Sequence, residues 1–367
     1  MVEKGTAAAN LALFLSPLYT LPIMVTRHCI YCADAKDLNT VANESVHLVV
    51  TSPPYPMIEM WDLDFSGMDH TIRQDLGKGD GRAAFEKMHL LLDLVWGECF
   101  RVLVPGGIVC INIGDATRSL DGRFRLYANH ARVISVMESI GFQSLPHVLW
   151  RKQTNSPTKF MGSGMLPGGA YVTLEHEYVL IFRKGGKREF RSNEQKRLRR
   201  RSALFWEERN SWFSDVWEFK GTRQAINGKK VTGGRLRERS AAYPFELAYR
   251  LIHMYSLQGE TVLDPFAGTG TTIRAAVAGG RNSIGYEISP DLTVYIRDFL
   301  PSELSAMNEY SRSRLDRHRE FIAGRACKHR NNVYDFPVVT SQETELEIPL
   351  IGTIEAVEEG FVVTYRE

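Results

Sequence analysis

The 367-residue sequence has few cysteines, almost no net charge and no long uninterrupted apolar run. Its five cysteines are an odd number in a long chain, which argues against a disulfide framework and favours a reduced, cytoplasmic compartment. A formal net charge of +2 gives no global signal for a polyanionic partner. If the protein binds nucleic acid, the distribution of its charges must carry that signal.

The most apolar stretch lies near the amino terminus, between Leu11 and Val25. Pro17 and Pro22 interrupt this stretch, and it is too short to cross a bilayer, so we expect no membrane association. It resembles a weak signal peptide. Residues 1–24 are therefore interpreted as a non-essential leader, with a start at Met24, or as an apolar arm packed on the body or on a second subunit.

Metal-ligating residues at a recognisable spacing are also missing from the sequence. Cys29 and Cys32 form a Cys-x-x-Cys pair, but they lie inside a predicted strand and lack a second pair at ligand spacing. We therefore expect no metal site.

One feature that the sequence does have is a strand that breaks abruptly. His47–Val50 is followed by Thr51-Ser52-Pro53-Pro54-Tyr55. Two consecutive prolines disfavour helix at the preceding residue and remove two backbone donors, so the segment leaves the strand extended. A hydroxyl, unpaired carbonyls and an aromatic ring then lie together at the carboxyl end of a strand, where open α/β sheets bind ligands. Such a group can accept hydrogen bonds from a flat NH2 group and stack on its ring, although alone it would equally fit a proline-rich surface turn.

A second feature, Thr261–Thr272, is typical of a strand, a glycine loop and the start of a helix. Gly268 and Gly270 allow positive φ and a close approach of backbone to ligand, and the threonines that follow can cap the helix. The next predicted strand, Ser283–Tyr286, ends in Glu287, about 20 residues after the loop. At this spacing a carboxylate meets a ribose hydroxyl in nucleotide-binding folds.

The two features together resemble the motifs of the S-adenosylmethionine-dependent DNA amino-methyltransferases, including type II modification methylases. In that resemblance Ser52-Pro53-Pro54-Tyr55 is the catalytic motif, and Asp264-Pro265-Phe266-Ala267-Gly268-Thr269-Gly270 is the cofactor motif. The catalytic motif comes first, which is similar to the permuted β class. Ser52 stands where adenine-N6 enzymes usually carry Asp or Asn, and this resembles the cytosine-N4 branch. The resemblance extends over roughly residues 28 to 300.

The resemblance implies an α/β fold with a doubly wound, seven-stranded, Rossmann-like sheet that is circularly permuted and carries an inserted target-recognition region. The predicted strands are residues 27–32, 47–50, 108–113, 148–151, 178–182, 261–264 and 283–286. The predicted helices are residues 36–43, 83–103, 125–140 and 244–255, and residues 56–81 are expected to be a long loop without an element. The sheet would be opened between its second and third strands, which places the two motifs on adjacent central strands.

We expect five segments along the chain. They are a leader or arm (1–24), the catalytic half of the methyltransferase domain (25–155), the target-recognition region (156–240), the cofactor-binding half (241–300) and a C-terminal helical and β extension (301–367). The last segment has two short alternating stretches that predict a small β appendage or a dimer contact.

The resemblance also implies roles for individual residues. The expected catalytic residues are Ser52, Pro53, Pro54 and Tyr55. The expected cofactor-binding residues are Asp34, Thr51, Asp264, Pro265, Phe266, Gly268, Gly270, Thr271, Glu287 and Phe245. Three expectations leave an alternative open: Asp34 either accepts the adenine amino group of the cofactor or caps a helix, Asp115 either faces the crevice or caps a turn, and Trp61 with Met57 either walls a base pocket or belongs to an ordinary surface loop.

Basic residues cluster after the last predicted strand of the first half. Lys184–Arg201 contains nine basic residues and two glutamates, and Gly221–Ser240 adds six more basic residues. Such runs are usually solvated surface. Six aromatic residues between positions 190 and 217 favour another interpretation, in which the region binds phosphates and inserts beside a displaced base.

The expected activity is methylation of the N4 amine of cytosine in a short duplex DNA sequence, with S-adenosylmethionine as cofactor and the target base flipped out of the helix. The expected setting is restriction-modification or epigenetic marking. N6-adenine methylation by the same fold is the alternative, and an inactive DNA-binding module is a distant one. The expected partners are double-stranded DNA and a cognate restriction endonuclease that need not touch the protein, and the chain is expected to be a monomer or a homodimer.

Overall fold

The computed structural model describes residues 24–152, 161–220 and 243–366. The expectations for residues 1–23 and for Gly221–Ser240 therefore fall outside the described residues. The strands are β1 Val25–Cys32, β2 Val46–Thr51, β3 Leu103–Ile113, β4 Ala116–Leu120, β5 Arg123–Tyr127, β6 Phe142–Ser144, β7 Val148–Arg151, β8 Met161–Gly162, β9 Ala170–Tyr171, β10 His176–Lys184, β11 Val216–Glu218, β12 Thr261–Asp264, β13 Asn282–Glu287, β14 His329–Arg330, β15 Pro337–Val338, β16 Leu350–Val357 and β17 Gly360–Arg366.

The helices alternate with these strands. They are α1 Asp62–Met68, α2 His70–Gly77, α3 Gly81–Val102, α4 Asn129–Ile140, α5 Asn193–Arg201, α6 Trp206–Trp212, α7 Phe245–Tyr255, α8 Thr271–Gly279, α9 Pro290–Phe299 and α10 Leu304–Ile322. Short 3-10 turns cover Glu59–Trp61, Leu300–Glu303 and Ser341–Glu343. No helix in the described ranges is long and apolar enough to cross a membrane.

One large sheet organises the fold, in the strand order β11-β7-β10-β3-β2-β12-β13-β1-β17-β16, with β6 paired to β10. Strands β3, β2, β12, β13 and β1 are mutually parallel, whereas β10 runs antiparallel to both β3 and β7. The seven predicted strands are all present and adjacent, so the α/β fold class and its doubly wound sheet are confirmed. Because His28 pairs with Ser283, the sheet is opened where the permuted order requires.

Alternate residues of the central strands face two separate cores, as the pleat of a β-strand requires. In β3, Ile108 and Cys110 belong to one core, and Val109 and Ile111 belong to the other. Helices α7, α8 and α10 cover the first core, and α3 and α4 cover the second. Parallel strands covered on both faces read as continuous apolar runs, which is why they were predictable.

The carboxyl-terminal hairpin belongs to the main sheet and is not a separate appendage. Strand β17 pairs antiparallel with β1, with His28 opposite Phe361, and β16 then forms the edge. The Tyr365 hydroxyl donates to the carbonyl of Val277 in α8 at 2.7 Å, which ties the hairpin to the helix behind it. Strand β1 is therefore an interior strand.

The sequence prediction was wrong for three local elements. Residues 36–43 form turns, although Leu38 and Val41 are buried at a helix-like spacing, because the Leu38 N–H donates to Glu98 of α3. Helix α4 begins only at Asn129, because residues 123–127 pair with β4. Residues 56–81 are not an irregular loop but contain α1 and α2, which bury Phe65 and Ile72.

Candidate active site

A crevice opens at the carboxyl ends of the parallel strands β1, β2, β12 and β13. It lies at the topological switch point of the sheet. It is lined by Ala33, Asp34, Ala35, Ser52, Pro53, Pro54, Tyr55, Trp61, Asp64, Met68, Tyr243, Pro265, Phe266, Ala267, Gly268, Thr269, Thr271, Tyr286, Glu287, Ile288, Ser289 and Leu292. Both motifs of the sequence therefore reach one cavity, although about 200 residues separate them.

The proline corner occupies one wall of the crevice. Strand β2 ends at Thr51, and all four residues of Ser52–Tyr55 line the cavity. The Ser52 hydroxyl donates to the Tyr55 hydroxyl oxygen at 3.2 Å. Among the described residues none donates a hydrogen bond to the Pro53 carbonyl. The wall thus offers acceptor oxygens to a ligand in the crevice.

Two residues that the sequence did not single out, Asn112 and Glu177, hold the Tyr55 hydroxyl, and a third, Lys152, holds Glu177. The Tyr55 hydroxyl donates to Glu177 Oε2 at 3.0 Å and accepts from Asn112 Nδ2 at 2.8 Å. Asn112 Nδ2 also donates to Glu177 Oε2 at 2.7 Å, and the Lys152 ammonium pairs with Glu177 Oε1. Burial, with the Glu177 carboxylate beside it, raises the pKa of Tyr55 well above its ordinary value.

The glycine loop forms the opposite wall. Gly268 and Gly270 have φ values of +53° and +80°, in the left-handed region that favours glycine. A side chain at Gly270 would also meet Ile296 at 3.0 Å. The Gly268 N–H donates to Glu287 Oε2 at 2.8 Å, and the Ser289 N–H donates to Oε1 at 2.8 Å. The acid at the end of β13 therefore fixes the loop while its side chain faces the crevice.

Asp264 and Thr51 lie beneath the crevice and do not line it. Asp264 is buried and accepts from Thr51 Oγ1 at 2.6 Å, from the Phe266 N–H at 3.1 Å, and from the hydroxyls of Thr272 and Tyr243 at 2.7 and 3.3 Å. Burial raises the pKa of the Asp264 carboxyl, and these donors oppose that rise. The structure thus gives both residues a supporting position beneath the loop, and their expected contact with cofactor stays a prediction.

Phe245 and Gly270, also expected at the cofactor, do not line the crevice either. Phe245 begins α7, and its ring packs on Tyr249 and Tyr310 with ring centroids 5.5 and 5.0 Å away. Tyr243, two residues earlier, lines the crevice instead. The hydrogen bond from the Tyr243 hydroxyl to Asp264 depends on where α7 docks, and the local sequence does not reveal that position.

The residues with two open interpretations are now placed. Asp34 lines the crevice and accepts from the Lys36 N–H at 3.0 Å, so it caps a turn and no helix. Asp115 accepts from the His130 N–H at 3.1 Å and caps the start of α4. Trp61 lines the crevice, whereas Met57 is buried in the core.

The lining suits S-adenosylmethionine. Thr271 Oγ1 is buried at the crevice and has no hydrogen-bond partner among the described residues, so a polar ligand group can satisfy it. Ile288 is exposed on the crevice beside Glu287, and Phe266 lies nearby, so apolar faces flank a carboxylate. This combination of apolar faces, a carboxylate and a hydroxyl matches a flat adenine ring, a ribose diol and a polar tail.

The basic run Lys184–Arg201 lies at the opposite end of the sheet. Lys184 Nζ donates to the carbonyl of Leu103 at the start of β3, and Arg188 pairs with Glu260, just before β12. The far end of the run is tied down as well, since Glu347 N donates to the Arg201 carbonyl. With about 3.3 Å per residue, the six-residue strand β2 separates this run from the crevice by about 17 Å.

Half of the aromatic residues in this part of the chain serve packing. Of the six between positions 190 and 217, Phe205, Trp212 and Trp217 are buried. The interpretation that this run inserts aromatic residues beside a displaced base is therefore wrong for these three.

A group of possible metal ligands lies far from the crevice. Among the described residues, Glu207, His318 and Glu343 offer ligand atoms within 4.8 Å of one another. His318 Nδ1 lies 2.9 Å from Glu207 Oε1, and its Nε2 lies 3.1 Å from the Pro337 carbonyl. Glu207 raises the pKa of His318 against the effect of burial, so an ion pair joining α6 to α10 explains the group.

The doubly wound sheet and its two-motif crevice define a methyltransferase of the class that uses S-adenosylmethionine. A family model described as DNA methylase matches residues 46–297, and the chain belongs to this N6/N4 family of DNA methylases.

Individual relatives agree with this assignment. The chain is 51% identical over 327 residues to the Type II methyltransferase M.MthZI of Methanothermobacter thermautotrophicus, which covers 89% of this chain and 91% of that protein. It is 49% identical over 286 residues to the Type II methyltransferase M.MjaI of Methanocaldococcus jannaschii, covering 75% and 91%.

A solved structure agrees as well. TTHA0409 of Thermus thermophilus, assigned as a DNA modification methylase and solved with S-adenosyl-L-methionine, is 32% identical with a TM-score of 0.57. The alignment covers 75% of this chain and 95% of that one. The protein is therefore an S-adenosylmethionine-dependent DNA methyltransferase.

Proposed function

We propose that the enzyme methylates the N4 amine of cytosine in a short duplex DNA sequence. The observation that carries this proposal is Ser52, a neutral hydroxyl that lines the crevice at the first position of the catalytic motif. By the family resemblance, adenine-N6 enzymes usually carry Asp or Asn at this position. Since M.MthZI and M.MjaI are named Type II methyltransferases, we further propose a role in restriction-modification, with a cognate endonuclease that need not touch this protein.

The proposed chemistry uses the acceptors of the proline corner. The exocyclic nitrogen of cytosine is a poor nucleophile because its lone pair is delocalised into the ring. If Ser52 Oγ and the Pro53 carbonyl accept its two N–H bonds, the nitrogen becomes more tetrahedral and its lone pair is freed for in-line attack. S-adenosylmethionine, when bound, would supply an electrophilic sulfonium methyl group: the N–C bond would form as the S–C bond breaks, and the methylated amine would then lose one proton to water. Positioning and electrostatics then account for most of the acceleration.

The target base must leave the duplex to reach this corner, at a cost of a few kcal/mol of unstacking. Tyr55 is held at its hydroxyl by Ser52, Asn112 and Glu177, so its ring is a fixed surface on which the flipped base can stack. This stacking offsets part of the unstacking cost.

For the cofactor we propose that Asp34 accepts the adenine amino group and that Glu287 meets the ribose. Phe266 and Ile288 would cover the faces of the adenine, and the loop at Gly268 would approach the remainder. All five residues line the crevice at the ends of β12, β13 and β1, whereas the proline corner follows β2 at the other end of this strand order, which supports the division.

We propose that DNA approaches the crevice side of the sheet. Hairpin β4–β5 starts three residues after β3, and Arg118 in it pairs with Asp62 of α1, whose helix walls the crevice. Strands β8 and β9 contact the hairpin, because the ring of Tyr171 stacks on that of Phe124 with centroids 4.8 Å apart. Of the target-recognition segment 156–240, this β8–β9 part lies against the hairpin, whereas β10 is a strand of the main sheet.

The test is to incubate plasmid DNA with labelled S-adenosylmethionine and to identify the modified nucleoside. We expect N4-methylcytosine; N6-methyladenine as the only product would move the enzyme to the alternative branch. The variant S52A should lower kcat by about 100-fold, as loss of one oriented hydrogen-bonding group does, while calorimetry shows unchanged cofactor binding. Unchanged turnover would remove Ser52 from the mechanism.

A further inference from the structure

The hydroxyl of Tyr55 has three polar neighbours but a single hydrogen. Those neighbours are the Ser52 hydroxyl at 3.2 Å, Asn112 Nδ2 at 2.8 Å and Glu177 Oε2 at 3.0 Å. The amide nitrogen of Asn112 can only donate, and an ionised carboxylate can only accept. The neighbours therefore dictate the direction of each hydrogen bond.

Because Glu177 can only accept, the Tyr55 hydrogen points to Glu177. The Tyr55 oxygen is then left as an acceptor on both remaining sides, toward Asn112 and toward Ser52. Ser52 must donate its own hydrogen to Tyr55, and the lone pairs of Ser52 Oγ are left for the crevice. This chain of hydrogen bonds thus makes the Ser52 hydroxyl, which could otherwise donate or accept, an acceptor toward the crevice.

Glu177 is itself held as a carboxylate acceptor. Its Oε1 pairs with the Lys152 ammonium, and its Oε2 also accepts from Asn112 Nδ2 at 2.7 Å. Lys152 in turn lies 4.7 Å above the ring of Trp150, which is buried. These contacts fix the side chain from two directions, on a strand of the main sheet.

We propose that Glu177 is a positioning residue that, through Tyr55, sets Ser52 as a hydrogen-bond acceptor for the exocyclic amine of the substrate. This inference rests on the proposed function insofar as that function places an amine at Ser52. Glu177 does not touch the base, and its effect is on the orientation of the group that does.

A neutral amide at position 177 cannot do the same. If the amide oxygen of E177Q faces Tyr55 and Asn112, its NH2 group meets the Lys152 ammonium, donor against donor. If the NH2 group faces Tyr55, Tyr55 accepts from it and turns its hydrogen to Ser52. Ser52 Oγ then accepts a hydrogen bond from Tyr55 and turns its own hydrogen toward the amine. Two donors would face each other, so Ser52 would no longer act as an acceptor for the amine.

The test measures methyl transfer from tritiated S-adenosylmethionine to plasmid DNA by wild type, E177Q and E44Q. Glu44 is a matched control, because it is an exposed glutamate that also pairs with a lysine, Lys184, at the end of the sheet opposite the crevice. We expect kcat to fall by about 10- to 100-fold in E177Q and to change less than about twofold in E44Q. Calorimetry should show cofactor affinity within about threefold of wild type for both.

The variant Y55F keeps the ring and removes the hydroxyl, so it breaks the same chain of bonds and covers the case in which E177Q folds poorly. We expect Y55F to lower kcat by a similar factor and the double variant Y55F/E177Q to be no slower than the slower single variant. Equal kcat in E177Q and E44Q, or multiplicative losses in the double variant, would overturn the proposal. The product nucleoside of wild type decides the proposed function separately, since the ratio between variants is measured with either product.

Discussion

Variants of Asp264 distinguish most clearly between a residue that contacts the cofactor and one that supports the crevice from below. Its carboxylate is buried and accepts from two groups at Oδ1, Thr51 Oγ1 and the Phe266 N–H, and from two hydroxyls at Oδ2, those of Thr272 and Tyr243. If it is a support, the variants D264N and D264A must behave very differently.

In D264N the amide oxygen can still accept from Thr51 and Phe266, and the NH2 group can donate to the hydroxyl oxygens of Thr272 and Tyr243. The variant also removes a carboxyl whose pKa is raised by burial. We therefore expect the free energy of unfolding to change by less than about 1 kcal/mol.

In D264A the same contacts are lost unequally. Thr272 keeps its bond to the Val50 carbonyl, and Tyr243 keeps Thr272 as a partner. Thr51 and the Phe266 N–H lose their acceptor, and each buried donor left unpaired costs about 1–3 kcal/mol. We expect D264A to lose about 2–6 kcal/mol of stability and to bind cofactor weakly, because Phe266 starts the loop that lines the crevice.

Urea unfolding gives the stability of both variants, and calorimetry with S-adenosylmethionine gives their affinity. We expect D264N to bind within about threefold of wild type. Loss of cofactor affinity by tenfold or more in D264N, with unfolding unchanged, would refute the reasoning, since it would show that the carboxylate touches the cofactor itself.

Two further predictions concern DNA binding and acid stability. Charge reversal at Arg123 and Arg125, in the crevice-side hairpin, should weaken binding to duplex DNA and reduce the salt dependence of that binding, as measured by fluorescence anisotropy. Charge reversal at Lys196 and Arg197 should leave both unchanged. The opposite ranking would show that the basic run Lys184–Arg201 binds the DNA. Urea unfolding at pH 7.5 and 5.5 should show lower stability at pH 5.5, by on the order of a few kcal/mol, because three buried histidines take up protons in the unfolded chain below their ordinary pKa of 6.5 and stay neutral in the folded state. The three histidines are His28, His89 and His253. Burial lowers the pKa of His28 and His89 to about 3 and lowers that of His253 as well, so their contribution to stability is fully present above pH 6.5 and falls as pH drops. Equal stability at the two pH values would contradict this prediction.

Sequence reasoning found the parts of the molecule whose signal is local. Strands β2, β3 and β12 are covered on both faces and read as apolar runs. The corner at Ser52–Tyr55 and the loop at Gly268 follow from the backbone properties of proline and glycine. The strand order then brings these two local features to one crevice.

The remainder depended on packing that no local pattern encodes. Glu177 reaches Tyr55 only because β10 pairs with β3, so its role at the crevice is a product of topology. Phe205 and Trp217 look like any aromatic residues beside basic ones, and only their burial shows that they belong to the core.

Two positions in the structure have the same physical origin. The run Lys184–Arg201, whose basic residues and neighbouring aromatic residues favour DNA binding in the sequence, is delivered by the antiparallel β10 to the amino ends of the parallel strands. Phe245, which the family resemblance places at the cofactor, starts α7, and the docking of that helix turns its ring to Tyr310.

The central claim is that one crevice holds the methyl donor beside a substrate amine that donates a hydrogen bond to Ser52. A crystal structure with a duplex and S-adenosylhomocysteine tests it most directly. We predict a flipped cytosine whose N4 lies within about 3.2 Å of Ser52 Oγ and of the Pro53 carbonyl oxygen, with the sulfur against the loop at Phe266–Gly268. A base held away from Ser52, or a cofactor bound on the far side of the sheet, would contradict the account.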